Sequence, residues 1–263
     1  MTPFLAGCLF IVMLAQGAAL RPADLSLRGV PAPVWQGLAL KLLAMPVIAA
    51  LSGWMFDLPP AARDGLLLLA LAPASVGALA FGGVLGADLS RLTRLIGLSS
   101  LASLVWLPLI GALVLDAAPP LTGFVGVIVL PFLLGVAAGG RLPRLVQPLA
   151  MLASLLGGAM IVVALWQGWP MAEWAILQAV LVLALAVGVL ALYAARAMGQ
   201  GGQGNASATA LALLLAESAV PIGLAALIWG ADFGPYAVPA AIYGIAAYGA
   251  AIVLVVRRVM RRS

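Results

Sequence analysis

Histidine is absent from this chain, cysteine and lysine occur once each, and only 8% of its 263 residues are charged. Without histidine the commonest proton shuttle and metal ligand is missing. A single cysteine excludes an intramolecular disulfide. Soluble domains carry roughly 25% charged residues, so the scarcity of charge excludes an ordinary soluble protein. The net charge of +5 comes from arginines at the edges of apolar runs, among them Arg257, Arg258, Arg261 and Arg262. These are topology signals and make no case for a nucleic-acid partner.

Apolar residues fill the space, at 65% of the chain with a mean hydropathy of +1.21. Runs of about 18 residues or more recur along the whole length, enough to cross a ~30 Å hydrocarbon layer as helices. The expected class is an all-α, multi-pass protein integral to a plasma or inner membrane. Its spans are expected near 3–20, 34–56, 62–86, 93–115, 119–138, 146–167, 171–195, 207–230 and 235–256. Leu5-Ala6-Gly7-Cys8 mimics a lipoprotein cleavage box, but no basic start or signal-length apolar run precedes Cys8, so a retained span is expected. The gaps alternate in charge. One set holds Arg21 and Arg28, Arg91 and Arg94, Arg141 and Arg144, Arg196 and the basic tail. The other holds Asp57, Arg63 and Asp64, then Asp116, Glu173 and Asp232. The positive-inside rule places the C-terminus in the cytoplasm and, with an odd span count, the N-terminus outside.

Two charges interrupt the apolar runs, Lys41 and Glu217. A charge at mid-membrane depth costs at least ~2.5–3.5 kcal/mol on insertion scales and is rare unless paired or facing water. Each precedes a proline, Pro46 or Pro221, by a few residues. The third span carries Pro73 and Gly77 near its centre, the eighth Pro221 and Gly223. Proline removes a backbone donor and clashes with the preceding turn. Freed backbone in lipid must be buried in protein or line a water-filled cavity. One such span reads more readily as a simple kink. Two in corresponding places of two halves match a transporter with inverted repeats and a mid-membrane site.

The order of motifs resembles the bile acid:sodium symporter family, within the superfamily that also holds auxin efflux carriers. The likeness runs through Gly17 and Pro22-Ala23-Asp24-Leu25, Lys41-Leu42-Leu43-Ala44-Met45-Pro46, Leu58-Pro59-Pro60, Gly65, Ala72-Pro73, Asp88, Ser99, Ser100 and Pro108. It continues through Pro131-Phe132-Leu133-Leu134-Gly135 and Val238-Pro239-Ala240-Ala241-Ile242-Tyr243. It implies two inverted repeats, here four helices plus five because the first of the usual ten spans is missing. It also implies two crossed, unwound helices in a core domain (34–115 and 171–256) beside a panel domain (3–20 and 119–167). Substrate would bind at the crossover, formed by Pro73, Ala74, Ser75, Val76 and Gly77 with Ser218, Ala219, Val220, Pro221 and Gly223. Half-helix ends there would offer partial charges to an ion or anionic substrate.

Departures from the family pattern concern sodium. The family's Ser-Asn pair falls on Ala78 and Leu79, and its hydroxyls fall on Leu92 and Ile96. None of these side chains offers oxygen to a hard cation that takes several oxygen ligands. The family's glutamine before the proline has become Lys41. Glu217 aligns beside the family's glutamate when counted from Gly223, or at its glutamine when counted from Pro239. The expectation is that Lys41 replaces a sodium ion and pairs with Glu217, either as a proton-handling group or as a static ion pair.

The predicted function is therefore a secondary transporter of a small organic anion, working by alternating access and sodium-independent or proton-coupled. No enzyme activity, cofactor or metal is expected. The alternative is a sodium-coupled bile-acid-type or organic-acid symporter. From other classes come a channel and an intramembrane aspartyl protease built on Gly-Ala-Asp at 86–88 and 230–232. The protease needs Asp88 and Asp232 within reach of each other, and the topology sets them at opposite-side helix ends. Asn205 and Ser207 after Gly201-Gly202-Gln203-Gly204 resemble a phosphate loop, but no strand precedes and no lysine follows. A flexible loop with a helix N-cap is expected instead. Ser75, Ser99 and Ser100 line a substrate path or bond within helices. Trp35, Trp106, Trp166, Trp169, Trp174 and Tyr236 are expected as interfacial anchors.

Overall fold

A computed structural model describes residues 3–115, 119–169, 173–197 and 203–260, almost entirely as helix. Asp116, Gly201, Gly202, Arg261, Arg262 and the start expected for the seventh span lie outside the described residues. The chain opens with α1 (Pro3–Ala18) and a short 3-10 turn (Pro22–Leu25). Next come α2 (Ala32–Ala39), a π-helical turn (Leu40–Ala44) and α3 (Met45–Met55), which form one continuous rod. Then follow α4 (Pro60–Leu71), α5 (Gly77–Leu85) and α6 (Leu89–Val114). A second rod joins α7 (Leu121–Phe124), a π-helical turn (Val125–Val129) and α8 (Leu130–Gly139). The rest are α9 (Pro143–Gly168), α10 (Trp174–Ala197), α11 (Gln203–Leu214), α12 (Ala219–Trp229) and α13 (Gly234–Met260).

Five of these rods are long and apolar enough to cross a membrane, and shorter apolar helices accompany them. Their outer faces are apolar. Leu43, Val47, Leu51 and Trp54 recur every three to four residues along the α2–α3 rod and are more than half exposed. Met45, Ala49 and Ser52 on its other face are buried. A contiguous apolar surface of this kind is a liability in water; in a bilayer it is the lipid-facing side. Trp166, Trp169 and Trp174 are likewise exposed. Tyr236 is half-buried and stacks on Trp229, with ring centroids 3.7 Å apart.

Both π-helical turns end just before a proline, Pro46 in one rod and Pro131 in the other. Proline has no N–H and its ring crowds the preceding turn. A locally widened turn makes room for the ring without ending the helix. The turns at Gly86 and Gly230 are tighter. Gly86 closes α5 at φ +75° and Gly230 closes α12 at φ +61°, a backbone region that glycine enters without a Cβ penalty.

α1 packs most closely on α8 and also on α9. A methyl group placed on Gly17, Gly135 or Gly139 would overlap the backbone of Phe132, Leu14 or Ala18 respectively. Small residues permit backbone-to-backbone approach where no hydrophobic driving force separates helix from lipid. α13 packs on α4 and α9, and a Cβ on Gly65 would overlap the Tyr236 carbonyl. Cys8 is buried within α1. The backbone at Asn205 and Ser207 is helical and belongs to α11, which begins at Gln203. Those two residues therefore stand inside the helix and not at a cap after a loop.

Candidate functional site

The helical course breaks between α4 and α5 and again between α11 and α12, and the two breaks meet. Ala74 and Ala216 form an antiparallel bridge. The Ser75 N–H donates to the Leu215 carbonyl at 2.7 Å and the Glu217 N–H to the Pro73 carbonyl at 2.9 Å. Pro73, Ala74, Ser75 and Val76 lie in the first break, and Gly77 starts α5. The second break lies about one turn earlier than expected. It covers residues 215–218, while Ala219, Val220, Pro221 and Gly223 are helical and buried in α12. The cause is local: Pro221 sits in the first turn of α12, where a missing N–H costs no helix bond. Gly223 serves packing, because a Cβ there would press on Leu9 at 2.6 Å.

Unwound backbone needs partners, and named side chains supply them. Gln16 of α1, 1% exposed, donates to the Ala74 carbonyl at 2.7 Å and to Ser100 Oγ at 3.1 Å. Its Oε1 accepts the Val76 N–H at 3.1 Å. Ser99 Oγ accepts the Ala74 N–H at 3.1 Å, and Ser103 Oγ donates to the Leu71 carbonyl at 3.0 Å. The Tyr243 hydroxyl donates to the Leu214 carbonyl at 2.7 Å. Ser99 and Ser100 also donate to the Ile96 carbonyl of their own helix. They thus bond within α6 and also support the crossover or the side chain that clamps it.

Ser75 is the centre of a chain of polar groups. Its hydroxyl donates to Glu217 Oε2 at 2.7 Å and accepts the Gly77 N–H at 3.1 Å. The Tyr248 hydroxyl lies 2.7 Å away. A serine hydroxyl has one hydrogen, and with that given to Glu217, Tyr248 is the donor to Ser75. These groups face a cavity of about 440 Å³ between the crossover and helices α1, α9 and α13. Gln16, Ser75, Ser154, Glu217, Ser218 and Tyr248 supply its polar lining. Ser218, 2% exposed, has an Oγ with no hydrogen-bond partner among the described residues.

The expected ion pair is not formed. Lys41 is buried, and its ammonium folds along its own rod to the Met45 sulfur at 3.4 Å. Glu217 turns the other way, to Ser75 and the cavity, and Lys41 does not line that cavity. The π-helical turn carries Lys41 against α4 and α6, and its Nζ reaches only a residue four positions on. Ala78, Leu92 and Ile96 are fully buried and Leu79 partly so, forming an apolar wall. Asp88 caps α6 and pairs with Arg91 at 3.1 Å, an arrangement that serves the helix end. Gln16 and Tyr248 were missed in the sequence, and Tyr243 was read there only as part of a family motif. The available signal was the same for all three, a polar group inside an apolar run.

Helices with lipid-facing apolar surfaces, and two broken helices that meet beside a cavity with a cluster of polar groups in its wall, define a polytopic membrane protein of the transporter class. The sequence matches the Sodium Bile acid symporter family over residues 6–169, and the chain belongs to that family. The matched segment includes the first break and ends before the second. No curated protein matches the chain.

Proposed function

We propose that the protein is a secondary transporter that carries a small organic solute by alternating access, with the solute held in the cavity beside the crossover. The bridged breaks that open on this cavity carry the reading. In lipid, unwound backbone persists only where protein or a cavity satisfies it, and crossed broken helices at mid-depth are the transporter solution. On this reading the described helices make nine spans, with α4–α5 and α11–α12 each one broken span, arranged as two inverted repeats of four and five. The core comprises 34–115 and 171–256, and the panel 3–20 and 119–167. The packing of α1 on α8 and α9 supports that division, as does the cavity's position where α1 and α9 meet the breaks. Loop arginines put the C-terminus in the cytoplasm and the N-terminus outside.

Transport proceeds without sodium on this reading, because Ala78, Leu79, Leu92 and Ile96 supply no side-chain oxygen for a hard cation. The family resemblance implies an anionic solute, yet the cavity lining includes a carboxylate and no lysine or arginine. The test is solute counterflow in proteoliposomes of the purified protein. Trans-accelerated exchange is expected; a conductance without exchange would make the protein a channel and end the carrier reading.

A further inference from the structure

We propose that the crossover cavity takes an organic ammonium, with Glu217 as its counter-charge and Ser218 as a second acceptor; this rests on the reading of that cavity as the solute site. The first ground is charge. Among the described residues that line the cavity Glu217 is the one acid, and none is basic. No ion pair joins it to Lys41. An unpaired charge at membrane depth is rare and marks a substrate or ion path, and a cationic ligand is what completes it.

The second ground is the direction of the hydrogen bonds. An anion would need free N–H groups at the starts of α5 and α12. Those of α5 are already taken: Val76 by Gln16, Gly77 by the Ser75 hydroxyl, Ala78 by the Ser75 carbonyl and Leu79 by the Val76 carbonyl. At α12 the Glu217 N–H goes to Pro73, the Ala219 N–H to the Glu217 carboxylate, the Val220 N–H to the Glu217 carbonyl and the Ile222 N–H to the Ser218 carbonyl. Donors are thus largely spent inside the protein, whereas the Glu217 carboxylate retains acceptor capacity. Ser218 Oγ, buried in the wall without a partner, is an independent sign of a missing ligand. A buried hydroxyl left unbonded is destabilising, so an ammonium proton there recovers a real deficit. An alkyl or aryl ammonium also suits the remaining wall, which Val12, Ile161, Val162 and Leu165 make apolar, and the volume lies in the range of small-molecule sites.

The experiment uses the purified full-length chain in sodium-free buffer with two matched probe pairs, benzylammonium with benzoate and hexylammonium with hexanoate. Binding is read by equilibrium dialysis. Site occupancy is read by protection of the thiol introduced by Ser154→Cys, in a Cys8→Ala background, against a water-soluble maleimide. The ammonium of at least one pair is expected to bind at least tenfold more tightly than its carboxylate and to protect that thiol. Glu217→Gln should weaken ammonium binding at least tenfold and leave carboxylate binding unchanged or stronger. Ser218→Ala should weaken it by a smaller factor, about threefold. Because Glu217→Gln removes a bond to Ser75 and can disturb folding, Glu217→Asp is the second variant. It keeps the charge and should keep the preference for ammonium at reduced affinity. Carboxylates that bind more tightly and protect the thiol would overturn the ammonium assignment and leave the cavity as the solute site. The same holds for ammonium binding indifferent to Glu217→Gln in a folded protein. Failure of all four probes to protect the thiol would overturn both.

Discussion

Ser75 Oγ and Glu217 Oε2 stand 2.7 Å apart although 142 residues separate them in sequence. The same two residues also bind each other's strand by main-chain bonds, Ser75 N–H to Leu215 and Glu217 N–H to Pro73. One side-chain contact is therefore fixed on both sides by backbone, so the carboxylate has a defined place in the cavity wall. A charge positioned this way differs from one on a free helix face, where side-chain rotation would scatter it.

Gln16 should matter as much as either residue of that pair. Gln16→Ala leaves the Ala74 carbonyl and the Val76 N–H without their partner, at about 1–3 kcal/mol for each unbonded buried group. A melting temperature lower by several degrees is expected, on a scale of about 2–4 °C per kcal/mol for a chain of this size. Helical content by circular dichroism should be unchanged and counterflow strongly reduced. Normal counterflow in the variant would mean that the crossover holds its shape without α1.

Lys41 gives a prediction opposite to that of an ion pair. Breaking a buried pair by removing one partner costs about 3–5 kcal/mol. Lys41 has the Met45 sulfur and no carboxylate as its partner, so Lys41→Met removes a buried ammonium at no such cost. The variant is expected to melt at the same temperature as the parent or a few degrees higher. A drop of ten degrees or more would show that Lys41 is paired in a conformation other than this one.

Exchange of sodium for potassium should leave both counterflow and the melting temperature unaltered within about one degree, since the ~1.4 kcal/mol that accompanies tenfold binding would move it by several. A sodium-specific stabilisation of that size would show that backbone carbonyls complete a cation site where Ala78, Leu79, Leu92 and Ile96 do not.

Adjacent glycines at the end of α8 supply an internal control. Gly139→Ala forces a methyl into the Ala18 backbone, whereas a Cβ on Gly140 meets nothing within 4 Å. Overpacking of this kind costs about 1–3 kcal/mol, so Gly139→Ala should lower the melting temperature and Gly140→Ala should leave it unchanged. Equal effects would mean that α1 and α8 are not in backbone contact.

Much of this arrangement was legible in composition and proline spacing, because lipid forces long apolar helices and leaves few other options. The first break could be read from Pro73 and Gly77, since the proline stands inside the unwound segment. The second was misplaced by a turn because Pro221 is housed in a helix start, a position where proline breaks nothing. Lys41 and Glu217 suggested each other as the two charges in apolar runs, but opposite sign does not specify which way each side chain leaves its helix. Gln16 and Tyr248 carry no charge and so stood out less, although their hydrogen bonds are what hold the crossover and its serine. The widened turns before Pro46 and Pro131 were also hidden, since a proline in an apolar run reads equally as a kink, a break or a π-helical turn.

The glycine contacts between α1 and α8 have a mechanical consequence. With Gly17, Gly135 and Gly139 seated against opposing backbone, sliding one helix along the other would lift main chain out of main chain at three places at once. The two helices consequently behave as a single stiff strut. Where the same α1 meets the first break, its polar attachment is the hydrogen bonds of one glutamine, while Leu9 packs on Gly223 of α12. If the strut and the breaks move relative to each other during transport, the bonds of Gln16 are the polar contacts that must part.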